Sequence, residues 1–183
     1  MLLPGLAIVV GAITGLGAGG RFGALGDLRF RAMPLLAVGL GGQLALGWTP
    51  EPWRPVLLMA TYATVGWWLL SNCRSRPRPM LIALCTLAAG WALNLAAIAP
   101  NAGMPVSRHA LDQAGAPDGF AVEDGNLFKH IPASGSTVLR PLGDVIPVAP
   151  LGAAISAGDI LLFAGTVGAV ALAMTGRATE PRT

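Results

Sequence analysis

Both histidines of the chain, His109 and His130, lie in one polar stretch, and Asp144 follows them inside it. Imidazole and carboxylate groups are the donors of zinc sites and of acid–base pairs. Their spacing here matches no metal-ligand pattern, and two histidines are the minimum such a site needs. Surface or hydrogen-bonded histidines are therefore the expectation, with no metal and no cofactor. Ser107, Ser134, Ser136 and Thr137 supply hydroxyls that a histidine could activate. No G-x-S-x-G elbow accompanies them, and Ser134-Gly135-Ser136 reads as a flexible turn. No catalytic residue stands out, so an enzyme is not the preferred reading. A third constellation is Asn94, Asn101, Gln43 and Asp144, which could line a polar pocket at the mouth of apolar segments. Polar groups at membrane depth are functional candidates. The competing and preferred reading is hydrogen bonding that fastens a loop to a helical bundle.

The element that must position these groups is a polar interruption over 100–157, holding five of the nine acidic residues. On both sides the sequence is almost unbroken hydrocarbon. Apolar residues make up 54% and charged residues 11% of the 183. A soluble domain carries about 25% charged residues, so the composition points to an integral membrane protein. Basic residues number twelve, eleven of them Arg, and fall in short clusters between apolar runs. That pattern sets membrane topology and does not track a nucleic-acid groove. Cys73 and Cys85 share no CxxC or Cys/His spacing and are expected to be free thiols.

The expected fold is all-α, a single polytopic domain over 1–183 with spans near 2–20, 32–48, 53–71, 80–99 and 158–176. Each span approaches the length that crosses a hydrocarbon core of about 30 Å. A cleaved signal peptide would want a basic start, and Met1 to Leu6 has none. Small residues recur every four positions in four of the spans: Gly11/Gly15/Gly19, Ala37/Gly41/Ala45, Ala88/Ala92/Ala96 and Gly165/Ala169/Ala173. Such stripes let helix backbones approach closely. Trp91 is central in its span and should pack on another helix. Trp48 and Trp53 flank a proline-rich turn, as rings at a membrane–water interface do. Gln43 needs a partner within the bundle.

Orientation follows from basic residues. With five spans, Arg21, Arg29, Arg31, Arg74, Arg76, Arg78, Arg177 and Arg182 share one side, against Arg54, Arg108, Lys129 and Arg140 on the other. The N-terminus and the 100–157 loop are thus expected outside, the C-terminus inside. Within the loop, Pro100 and Gly103 should stop the fourth helix and force a turn. Ser107 should cap a short helix through Ala114, with Gly115 as its stop and His109 on it. Residues 116–125 are acidic and surface-like, and Leu127, Phe128 and Ile131 are apolar anchors around Lys129 and His130. The run 139–150 is broken by four residues, Pro141, Gly143, Pro147 and Pro150, which argues against a span. It is expected to lie on the outer face of the bundle. Ser156 and Asp159 have capping-box spacing at the start of the fifth span.

Four motifs together resemble a family of small bacterial five-helix membrane proteins catalogued as a domain of unknown function. They are Asn101-Ala102-Gly103-Met104-Pro105-Val106-Ser107, Lys129-His130, Leu142-Gly143-Asp144-Val145-Ile146-Pro147 and Ser156-Ala157-Gly158-Asp159. The resemblance covers essentially the whole chain. It implies a fold, a bacterial inner (cytoplasmic) membrane location and a signature in the loop, and it implies no activity. The preponderance of Arg over Lys suits a GC-rich bacterium.

The functional expectation is an accessory or scaffold subunit that binds a partner through its extracytoplasmic loop. Asn94, Asn101, Met104, Pro105, His109, His130, Asp144 and Asp159 are the candidate binding or structural residues. Membrane lipids, a membrane-protein partner or further copies of the chain are the expected partners, and nucleic acid is not. Two alternatives stand beside it: a carrier or sensor of a lipid or small apolar ligand held under the loop, and an enzyme on lipid-linked substrates.

Overall fold

The computed structural model describes residues 2–27, 29–74, 76–116 and 129–176. It is mainly helical. Five helices form the body: α1 (Leu2–Gly17), α2 (Met33–Ala45), α3 (Trp53–Cys73), α4 (Arg78–Asn101) and α6 (Ala157–Met174). Between α4 and α6 lie a short α5 (Arg108–Gln113) and four three-residue strands, β1 (Met104–Val106), β2 (His130–Pro132), β3 (Ile146–Val148) and β4 (Ala153–Ile155). Among the described residues, α3, α4 and α6 are long and apolar enough to cross a membrane; the stretches Leu3–Gly17 and Met33–Trp48 are shorter apolar helices.

Small residues decide which helices touch. A Cβ on Gly11 would sit 2.8 Å from the Val170 Cβ, and one on Gly15 would sit 2.9 Å from the Met174 Cβ, so α1 lies along α6 in the same direction. On α6, Gly165 faces Leu87 and Ala83 of α4, while Gly158 faces Gly90 and Asn94. The pair is antiparallel. The Met80–Leu84 core closes its lower end with Phe30, Cys73, Leu87, Ala169 and Leu172. A second core gathers Leu46, Leu58, Tyr62, Ala97, Ile98 and Met104, with Trp91 and Leu142 against it. Trp91 packs as expected, its ring 5.8 Å from that of Tyr62 and its benzene edge over Gly66.

Several expected details are corrected. The first helix ends at Gly17, and Gly19 takes φ +81 outside it, so only Gly11 and Gly15 of that stripe pack. On α2 the packing face is Gly39 and Gly42 against Val65 and Thr61; Gly41 has open space around it and Ala37 is exposed. On α4, Ala92 is exposed and Gly90 makes the close approach. A four-residue period drifts around a 3.6-residue helix, so the stripe shows small residues without showing their facing. Pro100 does not stop α4. It sits inside the last turn, and the helix ends at Asn101, capped by Ala102 at φ 57. So near a helix end, a proline removes only a terminal backbone bond. Gln43 is half-buried.

The loop is ordered over its described parts. Ser107 Oγ accepts from the Ala110 N–H and caps α5, and Gly115 at φ +65 follows it, both as expected. The anchors Leu127 and Phe128, the acidic residues 117–125 and the tail 177–183 lie outside the described residues.

Candidate functional site

β1 is the hinge of the loop domain. On one flank it pairs in parallel with β2, Met104 opposite His130. On the other flank Asp144 bridges Val106: the Asp144 N–H donates to Pro105 O at 2.8 Å and its carbonyl accepts from the Ser107 N–H at 3.0 Å. Three residues of β1 are buried, Pro105 completely so, which places the strand directly on the α3–α4 core through Met104. Gly143 lies against the Pro105 carbonyl, with no room for a Cβ. The motif residues thus have separate tasks. Met104 and Pro105 seat the strand, Gly143 lets the next segment approach, and Asp144 closes the ladder.

His130 and Asp144 meet, His130 Nε2 lying 3.5 Å from Asp144 Oδ2. Asp144 is 4% exposed. Burial pushes its carboxyl up to about 8, with the nearby Asp159 carboxylate adding to the rise. Burial likewise pushes the His130 imidazole down to about 4, helped by Lys129. The 3.5 Å separation alone would suggest an ion pair, yet desolvation outweighs that attraction at both groups. Both shifts favour the uncharged form at neutral pH, so the contact is not an ion pair there. Two of its atoms, His130 Nδ1 and Asp144 Oδ1, are buried without a protein partner, as is the Trp91 Nε1 in the adjoining core. His109 does not join them. It is exposed on α5, so of the three groups weighed as a possible constellation only His130 and Asp144 meet, and among the described residues no three groups are placed to hold a metal ion.

Asn94 and Asn101 go to different places. Asn94, buried on α4, donates from Nδ2 to Asp159 Oδ1 at 2.8 Å and accepts at Oδ1 from Ser156 Oγ at 2.8 Å. Ser156 and Asp159 complete the expected capping box, Ser156 Oγ accepting from the Asp159 N–H and Asp159 Oδ2 from the Ser156 N–H. Four bonds close on one another across two helices, and Gly158 is small because the Asn94 carbonyl occupies the space of its Cβ. Such a fully satisfied network fastens helices and leaves little free valence for a ligand. Asn101 instead grips the backbone of Val138: Nδ2 donates to Val138 O at 2.8 Å and Oδ1 accepts from Val138 N–H at 3.0 Å. Asn94 and Asn101 thus fasten different segments, Asn94 the start of α6 and Asn101 the Val138 backbone.

The sequence reading missed Asn72. It is 1% exposed at the end of α3, and its amide clamps the Arg31 backbone at 2.8 and 3.1 Å. A signal was present: Arg31-Ala32-Met33-Pro34-Leu35 and Val138-Leu139-Arg140-Pro141-Leu142 share a Pro-Leu pair at the same offset from the clamped residue. Ser134 and Ser136 form the expected turn, their hydroxyls 2.9 Å apart and away from either histidine pair member's bonds.

This geometry defines a class: an apolar helical bundle, with helices able to cross a membrane, capped by a small polar-anchored loop domain. The chain belongs to the family described as a family of unknown function (DUF5317), whose model matches residues 27–171. No curated protein and no solved structure matches the chain.

Proposed function

We propose that the protein is a multi-pass, five-span component of the bacterial cytoplasmic membrane. In this reading the N-terminus and the loop domain lie outside and the C-terminus lies in the cytoplasm. It serves as an accessory or scaffold subunit that binds a membrane-protein partner through the loop. The alternating directions of α1, α2, α3, α4 and α6, the outward apolar side chains of α1 and α2 such as Ile13 and Val38, and the arginine clusters at one end support the topology. Helices of 16 and 13 residues are short for a full crossing, and local bilayer thinning accommodates them at modest cost.

One observation carries the partner reading. Asn101 holds the Val138 backbone at two points while the Val138 and Leu139 side chains stand 48% and 49% exposed. Leu139 is held at φ 52, a left-handed conformation that a branched side chain adopts at a cost of about 1 kcal/mol. A preformed apolar tip loses little further entropy when it is covered. A photo-cross-linking residue at 139, activated in intact membranes, should give one discrete protein adduct, and the same residue at His109 should not. Cross-links to lipid alone from position 139 would remove the partner reading. Labelling of Ser136→Cys, but not Arg74→Cys, by an impermeant thiol reagent tests the topology separately.

A further inference from the structure

We propose that the arginine-rich end holds the phosphate of an anionic phospholipid between Arg31 and Arg76. The proposal rests on the membrane reading above and not on the partner reading at Val138–Leu139. Six arginines gather at this end, Arg21, Arg29, Arg31, Arg74, Arg76 and Arg78, against one acid, Asp27, among the described residues there. Among the described residues no carboxylate pairs with any of the six. Arg31 and Arg76 are held together. Asn72 clamps the Arg31 backbone at 2.8 and 3.1 Å, and the same residue receives Arg76, Nη2 donating to Asn72 Oδ1 at 3.3 Å and Nε to Asn72 O at 3.4 Å. Arg76 Nη2 also donates to Arg29 O at 2.7 Å, and the guanidinium lies 5.0 Å over the Phe30 ring. Burial, and after it the nearby Arg31 charge, disfavours the charged form of Arg76. A fold that fixes two like charges side by side with no acid between them leaves a place for an anion.

The free valences say what the anion must offer. The bonds of Arg76 use Nε and Nη2, so its Nη1 has no partner among the described residues. Arg31 is bonded through its backbone, and its side chain is exposed. Guanidinium N–H groups match the paired oxygens of a phosphate, and a phosphodiester keeps two such oxygens and one negative charge. The surroundings select a lipid over a dissolved anion. At the same end Phe22 and Leu25, in the 3-10 turn Phe22–Asp27 that follows α1, are 59% and 38% exposed. Trp67 and Leu70, in the last two turns of α3, are 65% and 64% exposed. Acyl chains would cover such side chains, whereas inorganic phosphate or an acidic peptide would leave them bare. Basic clusters at the cytoplasmic ends of membrane helices recognise anionic head groups by this combination.

The full-length protein, delipidated in dodecyl maltoside, is titrated with dioctanoyl phosphatidylglycerol and the bound lipid is counted by native mass spectrometry. Dioctanoyl phosphatidylcholine and inorganic phosphate are the comparison probes. Phosphatidylglycerol should bind about tenfold more tightly than phosphatidylcholine, and added sodium chloride should weaken it. Arg31→Gln keeps the backbone clamp and should weaken phosphatidylglycerol about fivefold, while Arg31→Lys, which keeps the charge, should stay within about twofold of the parent. Arg74→Gln, a change of the same charge at the same end, should have a smaller effect than Arg31→Gln. The inference is overturned if the two lipids bind alike, or if Arg31→Gln binds phosphatidylglycerol as the parent does. Equal losses from Arg31→Gln and Arg74→Gln overturn it too, since they show a diffuse field and no site. Inorganic phosphate or hexaglutamate binding as tightly as phosphatidylglycerol overturns the lipid assignment. A chain that stays monodisperse in buffer without detergent would instead overturn the membrane reading itself.

Discussion

Two ends of the molecule use the same local device for opposite purposes. At the arginine-rich end, Asn72 on α3 clamps the backbone of Arg31; at the loop end, Asn101 on α4 clamps that of Val138. Each amide also donates to the carbonyl four residues back in its own helix, Trp68 and Ala97. Each clamped residue is followed by a left-handed non-glycine, Ala32 or Leu139, both at φ 52. In each case a helical turn then opens with a proline, Pro34 or Pro141. What surrounds the clamps differs. Beside Asn72, Phe30 packs against Trp68 with ring centroids 5.3 Å apart and planes tilted by 53°, and the Arg76 guanidinium covers the Phe30 ring at 5.0 Å while donating to Arg29 O and Asn72 Oδ1. Beside Asn101, Val138 and Leu139 face outward. A clamp buried under aromatic rings closes a bundle, whereas the same clamp left open displays a segment.

The largest effect should come from Asn72→Ala, which empties a buried position and abandons the Arg31 N–H and C=O at a part-buried clamp. A loss of about 2 kcal/mol is expected, since a stranded buried group costs about 1–3 kcal/mol and the part-buried Arg31 groups less. Thermal unfolding in detergent would show it as a large drop in melting temperature. An effect as small as that of the outer clamp would erase the distinction drawn between the two ends.

The loop end alone should make stability depend on pH near neutrality. Asp144 is raised from 3.8 to about 8, so the folded state holds an extra proton and stability falls as pH rises through that window. His130 is lowered from 6.5 to about 4, and there the folded state lacks a proton, so stability rises with pH through that lower window. The two slopes cancel between about 4 and 6.5. Between about 6.5 and 8 only Asp144 remains, and stability should fall by up to about 1.4 kcal/mol per pH unit. Asp144→Asn should abolish that fall and expose the rise below 6.5. A parent profile that is flat from pH 6.5 to 8 would contradict the neutral pair.

Asn101→Ala should cost less, about 1 kcal/mol, because water can reach the freed Val138 groups. Its signature is local: amide exchange should quicken around Val138 while the α3–α4 core stays protected. Global loosening would mean that the outer clamp also holds the bundle. The smallest change is Leu139→Gly, which should stabilise the isolated chain by roughly 0.5–1 kcal/mol by relieving the left-handed strain. Under the partner proposal it should nevertheless reduce cross-linking at the tip. Ala32→Gly should match its stabilisation without touching cross-linking.

Much of this was legible in the residues. The apolar runs, the loop, the Ser107 cap and the Ser156–Asp159 box all follow from local composition and spacing. The family was suggested by a resemblance, and its model matches residues 27–171; in the structure, Gly143 makes room for the Pro105 carbonyl and Gly158 for the Asn94 side chain. The reading failed where facing mattered. The stripes of small residues on α2 and α4 did not name the closest approaches within the bundle, Gly39, Gly42 and Gly90, because a pattern of sizes does not say which neighbour arrives. Pro100 was read as a stop, since its position relative to the last hydrogen-bonded turn depends on where α4 actually ends.

The sequence by itself determined the solvent each segment requires and the points where the backbone must turn, because hydrophobicity, capping oxygens and proline act within a few residues of where they stand. Only the tertiary structure decided which polar groups meet. Asn94 is 62 residues from Ser156, Asn72 is 41 from Arg31 and Asn101 is 37 from Val138. His130 and Asp144 come together only because β1 is threaded between them. An amide or an imidazole has the same valences in any sequence; what satisfies them is set by packing at a distance.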